Sequence, residues 1–372
     1  MPLSHYLKQF FAAEKKYGSK DRKQIAALCY HYYRLGKAAQ DISIEERILL
    51  ATFLCEHTSS EFLHFHKPGW NEKITLLVSE KLLIINYQFL PEDIFPWSNE
   101  LTEGIEPDKL AASFLNQPDL FLRIRPGRKD IVLSKLAEAA ITFNLMGEDC
   151  MAIANSTKID SVLEIDREVV VQDASSQRVL DFLTGSSYTP SGDGSRLRAW
   201  DCCAASGGKS ILAYDILNGN VELAVSDIRE SILSNLKQRF KTAGIKHYHS
   251  FIANLQTANY QVPTTNYQLL LCDAPCTGSG TWSRTPEQLY FFKPPMIDEY
   301  AERQKSIASN AIKHLQKDGL FFYITCSVFK KENEDIVDFI KGDSSLQLLQ
   351  MGSIKGYEMK ADSMFVAVFK KN

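Results

Sequence analysis

Four short apolar runs in the C-terminal half constrain the fold more than any other feature of the chain. LRAWD, ELAVSD, YQLLLCDAP and LFFYITCS are each bounded by turn signals. Helical segments separate them: KSILAYDIL, ESILSNLKQRFKTAG and DEYAERQKSIASNAIKHLQKDG. This alternation predicts a mostly parallel sheet with helices on both faces. Such sheets bind ligands at the carboxyl ends of their strands. Those ends carry Asp201 with Cys202 and Cys203, then Asp227, then Asp273 with Cys276, then Cys326.

The loop after the first run, DCCAASGGKS, ends like a phosphate-binding P-loop. That motif needs G-x-x-x-x-G-K-[ST]. Its first glycine would stand at position 203, which is Cys203, so an ATP-hydrolysing site is not expected. Small residues still turn the chain at Ala204, Ala205 and Ser206, and Gly207 and Gly208 allow close backbone approach. Loop amides and a helix N-terminus favour a carboxylate or phosphate. Asp227 ends the second strand, where an acid suits ribose hydroxyls. Together these features predict a nucleoside-bearing cofactor.

The third run enters DAPCTGSGTW and the fourth ends in Thr325-Cys326-Ser327 ahead of KKENEDIVDFI, read as a helix. A helix N-terminus lowers a thiol pKa. A lone cysteine is most simply a small buried residue. Two at neighbouring strand ends beside a nucleotide pocket point to covalent catalysis. The other cysteines offer no C-x-x-C and no histidine at finger-like spacing, so no metal is expected.

Residues 1–112 read as a helical domain. DRKQIAALCYHYYRLGKA and IEERILLATFLCEH carry apolar residues at helical spacing, and Ser43 with Glu46 suggests a capping box. Tyr30, Tyr32 and Tyr33 are read as helix packing before base stacking. Residues 113–170 form a small α/β unit: LFLRIR as a strand, DIVLSKLAEAAITFNL as a helix, VLEIDREVVVQD as strands. Arg123, Arg125, Arg128 and Lys129 make the densest basic cluster, either solvated surface or RNA backbone contact. Residues 171–372 form the catalytic domain. The net charge of -3 means that any nucleic-acid surface must be local. No apolar run approaches the ~20 residues of a membrane helix. The charged, amphipathic N-terminus lacks a signal-peptide block, and the expected location is cytoplasmic, without a membrane partner.

DCCAASGGKS, Asp227, DAPCTGSG and ITCS followed by Glu332-Asn333-Glu334 resemble, in order and spacing, the motifs of the Sun family of S-adenosylmethionine-dependent RNA (cytosine-5)-methyltransferases. VQDASSQRV resembles the family's Q-D-x-x-S-Q segment, and the N-terminal helices resemble the NusB-like extension of bacterial small-subunit rRNA members. The resemblance implies a Rossmann-like class I methyltransferase sheet, preceded by a small α/β (RRM-like) unit and an all-helical domain. It implies S-adenosyl-L-methionine as cofactor and a monomer acting on RNA, with small-subunit ribosomal RNA first and tRNA or large-subunit rRNA as the alternative. Cys326 would be the nucleophile, Cys276 would assist product release, and Asp273 would hold the base. Lys209 would orient the base or neutralise charge, or is a plain helix-start lysine. Cofactor contacts would come from Cys203, Ala204, Ala205, Ser206, Gly207, Gly208, Lys209, Asp227, Asn254 and Asp273. Arg284 would meet RNA, and Trp282, Tyr290 and Phe291 would stack on it or pack internally. Ser206 replaces the family's proline, Ile324 a small polar residue, Asn254 an acid and Ser283 an arginine. Two rivals remain. A DNA cytosine-5 methyltransferase would use Pro275-Cys276 but leave Cys326 without a role. A non-catalytic rRNA assembly factor would not need the cysteine pair.

Overall fold

The computed structural model describes residues 1–85, 91–184, 196–257, 260–263 and 266–372, with the side chains of 91 and 92 excepted. Eight helices open the chain: α1 (Leu3–Ala13), α2 (Ser19–Arg34), α3 (Ile44–Cys55), α4 (Glu61–His66), α5 (Pro68–Asn71), α6 (Val78–Ile84), α7 (Pro91–Ile94) and α8 (Pro107–Ser113). A small α/β segment follows: β1 (Leu120–Ile124), α9 (Lys129–Glu138), β2 (Phe143–Leu145), β3 (Cys150–Ile153), β4 (Val169–Val171) and α10 (Ala174–Arg178). The remainder runs β5 (Leu197–Asp201), α11 (Gly208–Ile216), β6 (Val221–Asp227), α12 (Glu230–Ala243), β7 (Tyr248–Ile252) and β8 (Tyr267–Asp273). It ends α13 (Pro286–Phe291), α14 (Pro295–Ile312), β9 (Leu315–Thr325), α15 (Glu334–Lys341), β10 (Leu346–Ile354) and β11 (Met364–Lys371).

The expected parallel sheet is present. Its order is β10-β11-β9-β8-β5-β6-β7, with β9, β8, β5, β6 and β7 parallel and β10–β11 an antiparallel edge. Chain order reverses between β5 and β8, which opens a crevice at their carboxyl ends. Strands buried on both faces read as nearly continuous apolar runs because alternate residues enter opposite cores. Ala199, Leu223, Leu269, Leu271 and Phe322 pack with Ile211, Leu236 and Phe240 of α11 and α12. Trp200, Ala224, Leu270, Phe321 and Tyr323 pack with Ala308, Ala311, Ile336 and Ile340 of α14 and α15.

The small sheet has the order β2-β3-β1-β4, with α9 burying Val132 and Leu136 against Leu122, Ile124 and Met151. Two sequence expectations change here. The helix read through ITFNL stops at Glu138, Ala140 takes a left-handed φ of 52°, and Phe143 starts a strand. Of VLEIDREVVVQD, only Val169–Val171 is a strand.

Arg123 and Arg125 also depart from expectation, because they are not exposed for RNA. Arg123 is 5% exposed. Its Nη1 donates to Asp215 Oδ2 on α11 at 2.6 Å, and Arg125 Nη2 donates to Asp215 Oδ1 at 2.7 Å. Arg123 Nε also reaches Gln172 at 2.9 Å, and Arg125 Nη1 reaches the Ala243 carbonyl at 2.7 Å. The two arginines tie the small sheet to α11 of the seven-stranded sheet's helix layer. Arg128 is exposed and Lys129 half-buried.

The chain divides into two compact units: Met1–Pro118 with Thr281–Pro294, and Asp119–Gly280 with Pro295–Asn372. The helical unit therefore takes a segment from within the C-terminal half of the sequence, and the small α/β segment joins the unit that holds the seven-stranded sheet. Ser43 Oγ caps α3 by accepting from Glu46 N at 3.2 Å, as expected. Tyr32 and Tyr33 pack on Tyr290, and Tyr33 also on Phe291. Trp282 is 1% exposed among Phe95, Trp97, Phe114 and Phe292, so its ring is core and not a stacking platform. Arg284 lies in the same returning segment.

Candidate active site

The loop after β5 is shaped by its small residues. Ala205 takes φ 45° and Gly207 φ 85°, and Gly207 caps α11. A Cβ at Gly207 would meet Phe240 at 2.8 Å, so only glycine fits. Ala204 N donates to the Ser226 carbonyl at 2.9 Å and Ala205 N to Asp227 Oδ2 at 3.2 Å, which fixes the loop against β6. Arg239 Nη1 donates to both the carbonyl and the hydroxyl of Ser206 at 3.0 Å, and Arg239 pairs with Asp166. The serine that replaces a proline therefore has its own tether.

Asp227 is 6% exposed and accepts from Arg229 N, Nε and Nη2 at 2.9, 3.0 and 3.1 Å. Burial pushes its pKa up, but the Arg229 and Ala205 hydrogen bonds outweigh this and hold it below the usual range. Asp227 is thus a fixed carboxylate at the end of β6.

A cleft of about 440 Å³ opens at the carboxyl ends of β5, β6 and β8. Cys203, Ala205, Asp227, Asn254, Asp273, Cys276 and Cys326 line it. Ile228, Leu255 and Ile307 supply apolar wall, and Arg229, Tyr300 and Arg303 polar wall. None of these six was singled out from sequence. Ile228 alone carried a signal, as an apolar residue directly after the strand-end acid. Ala204, Ser206, Gly207, Gly208 and Lys209 do not line the cleft. Ala204 is buried and Ser206 exposed, so they shape the loop from behind. Asn254 turns its side-chain oxygen to Gln256 N at 3.1 Å.

Lys209 reaches the cleft through Asp273, donating from Nζ to Oδ2 at 2.6 Å. Burial pushes the Lys209 pKa down, but Asp273, with Cys326 and Asp201, more than compensates and keeps it raised. The lysine is therefore a largely buried cation, its side chain 13% exposed, and not a free surface residue.

Cys276 Sγ and Cys326 Sγ lie 3.3 Å apart. The hydrogen bond with Cys326, and then burial, push the Cys276 thiol well above its ordinary value. Cys276 therefore keeps its proton. Helix α15 begins only at Glu334, after a 3-10 turn over Lys330–Glu332, so Cys326 does not sit at its N-terminus as expected. A buried polar network holds the two cysteine loops instead. Glu332, fully buried, accepts from Thr277 N at 2.9 Å, Thr277 Oγ1 at 2.6 Å, Gln304 Nε2 at 3.1 Å and Ser327 Oγ. Asn333 accepts from Thr325 Oγ1 at 2.6 Å and donates to the Ser327 carbonyl at 2.9 Å. Gly280 N donates to the Cys326 carbonyl at 2.8 Å, and a Cβ at Gly280 would lie 2.1 Å from the Ser363 carbonyl.

Residues 193–369 match the model of the 16S rRNA methyltransferase RsmB/F family. This stretch, just under half of the chain, is similar to RsmB/F-type methyltransferase domains. It is similar to the probable ribosomal RNA small subunit methyltransferase B of Bacillus subtilis, 25% identical over 62% of this chain and 51% of the relative. The Yersinia enterocolitica ribosomal RNA small subunit methyltransferase B is 30% identical over 50% of this chain and 41% of its own length. The chain thus spans about half, or less, of these curated relatives. A methyltransferase homologue from Pyrococcus horikoshii shares the fold at TM-score 0.61 and 18% identity, over 79% of this chain and 98% of its own. RsmB/F-type domains take their methyl group from S-adenosylmethionine. The cleft suits that group: Asp227 is placed for ribose hydroxyls, Ile228, Leu255 and Ile307 offer an apolar wall for a base, and Gly207 keeps the loop close.

Proposed function

We propose that the protein methylates C5 of a cytosine in RNA, with small-subunit ribosomal RNA the first target and tRNA or large-subunit rRNA the alternative. The observation that carries this reading is the approach of Cys276 and Cys326 beside the Lys209–Asp273 pair. C5 of cytosine is a poor nucleophile. The Cys326 thiolate adds to C6, and the ring electrons then make C5 nucleophilic. Asp273, held by Lys209, hydrogen-bonds the base and stabilises charge that develops on the ring. S-adenosylmethionine supplies the methyl group. Cys276, after giving its own proton to solvent, takes the C5 proton, and the electrons of the C5–H bond expel Cys326 from C6 as a thiolate. The target base must be single-stranded or flipped out. Arg128, Lys129 and Arg284 are the basic residues proposed to meet the backbone. A shallow cleft of about 420 Å³ lined by Arg128 and Arg167 supports this for the first of them.

No helix among the described residues is long and apolar enough to cross a membrane. The test of substrate class is incubation with unmodified total RNA and S-adenosylmethionine, followed by mapping of 5-methylcytosine. New 5-methylcytosine in small-subunit rRNA supports the reading. Cofactor binding without transfer to any RNA would favour the non-catalytic alternative.

A further inference from the structure

Behind the cleft, three thiols converge that the methyl-transfer chemistry does not use together. Cys202 and Cys203 follow β5, and Cys272 lies on the parallel neighbour β8. Cys202 N donates to the Leu271 carbonyl at 2.9 Å, which draws the two strands' cysteines to one level. The three Sγ atoms all lie within 4.8 Å of one another. A tetrahedral ion with S at about 2.3 Å places its sulfurs roughly 3.8 Å apart, so small rotamer changes complete three corners of such a site.

Buried cysteines can serve as small apolar residues, and Cys202 and Cys272 do share the cluster of Trp200, Leu255 and Ala274. Their surroundings favour more than packing. Asp201, which directly precedes Cys202, is 1% exposed and its Oδ1 has no hydrogen-bond partner. Three sulfur donors within 4.8 Å of one another, with this unpartnered carboxyl oxygen on the adjoining residue, are a set that a cation would satisfy.

We propose that Cys202, Cys203 and Cys272 form a binding site for a soft divalent d10 cation of the zinc and cadmium class, separate from the catalytic thiol pair. Thiolate sulfur selects such ions. The ion forms three bonds to sulfur, displaces the thiol protons to solvent, and leaves a fourth position for water. Cys202 and Cys203 also line the cleft, so the ion lowers cofactor affinity; this last clause rests on the proposed function, and the site itself does not.

The test is titration of the reduced full-length protein with Cd2+, read as thiolate-to-metal charge-transfer absorption without RNA or cofactor. The Cys276→Ala/Cys326→Ala double variant is expected to keep a single saturable band that Zn2+ displaces, with stronger binding at higher pH. Adding Cys272→Ala is expected to abolish the band. Because Cys272 is fully buried, Cys203→Ser at the less buried position is a second variant and is expected to weaken the band at unchanged melting temperature. Absence of the band in the double variant, or its survival without both Cys272 and Cys203, overturns the proposal. Neither result bears on methyl transfer, which is measured separately.

Discussion

Asp201 ends β5 with a carboxyl that has lost its water. Ser210 Oγ donates to it at 2.6 Å, and burial pushes its pKa up to about 7. An unfolded aspartate titrates near ~3.9, so the native state binds this proton more tightly. The stability it confers is full below about pH 4 and is lost as pH rises to about 7. Asp201→Asn removes the titration. Its melting temperature should gain on wild type from pH 4 to pH 7 and then hold level, an advantage of at most about 4 kcal/mol. A pH-independent difference contradicts the assignment. Glu332 acts at one remove from the chemistry, because it joins Thr277 to Ser327 and so fixes the neighbours of both thiols. Displacement of reacting groups by ~1 Å costs roughly 100-fold. Glu332→Ala should lower kcat by about that factor, leave the cofactor KM within a few-fold, and be partly rescued by Glu332→Gln. Equal loss of cofactor binding would show a general collapse. Cys276, Cys326 and Asp273 were legible in the sequence because strand ends are legible. Glu332 was visible only as a motif, since its role depends on burial against a loop some fifty residues away.

At the scale of elements, the join between β1 and α11 is the most vulnerable point. Arg123 and Arg125 leave Asp215 with a side chain only 5% exposed. Removing one partner of a buried ion cluster strands the remaining charge and costs about 3–5 kcal/mol. Asp215→Ala should lower the urea midpoint by that equivalent, with little change in m-value. An effect under about 1 kcal/mol would mean that the cluster is solvated. The parallel strands were readable because burial on both faces makes them continuous apolar runs. The arginines misled because charge on an alternating strand reads as an exposed face. Their partner lies on a helix some ninety residues on, beyond the reach of any local pattern. The short strands β2 and β3 failed for a related reason. Three or four residues do not establish a period, and the helix propensity of the preceding segment carried the reading past its true end at Glu138.

At the scale of the whole molecule, two units are interleaved in sequence, and Thr281–Pro294 belongs with the helices. The sequence reading placed boundaries after residues 112 and 170, whereas the chain passes between the units after Pro118, Gly280 and Pro294. The same crossing explains why Trp282 looked available for RNA while it lies among Phe95, Trp97 and Phe114. The proposed reaction rests on the order of events at two sulfurs 3.3 Å apart. The most direct measurement is denaturing electrophoresis of the full-length protein after incubation with substrate RNA and S-adenosylmethionine. Cys276→Ala should accumulate a stable protein–RNA adduct, because Cys326 still adds to C6 but release is impaired. Cys326→Ala should give neither adduct nor 5-methylcytosine. An adduct in Cys326→Ala and none in Cys276→Ala would contradict the account and make Cys276 the nucleophile.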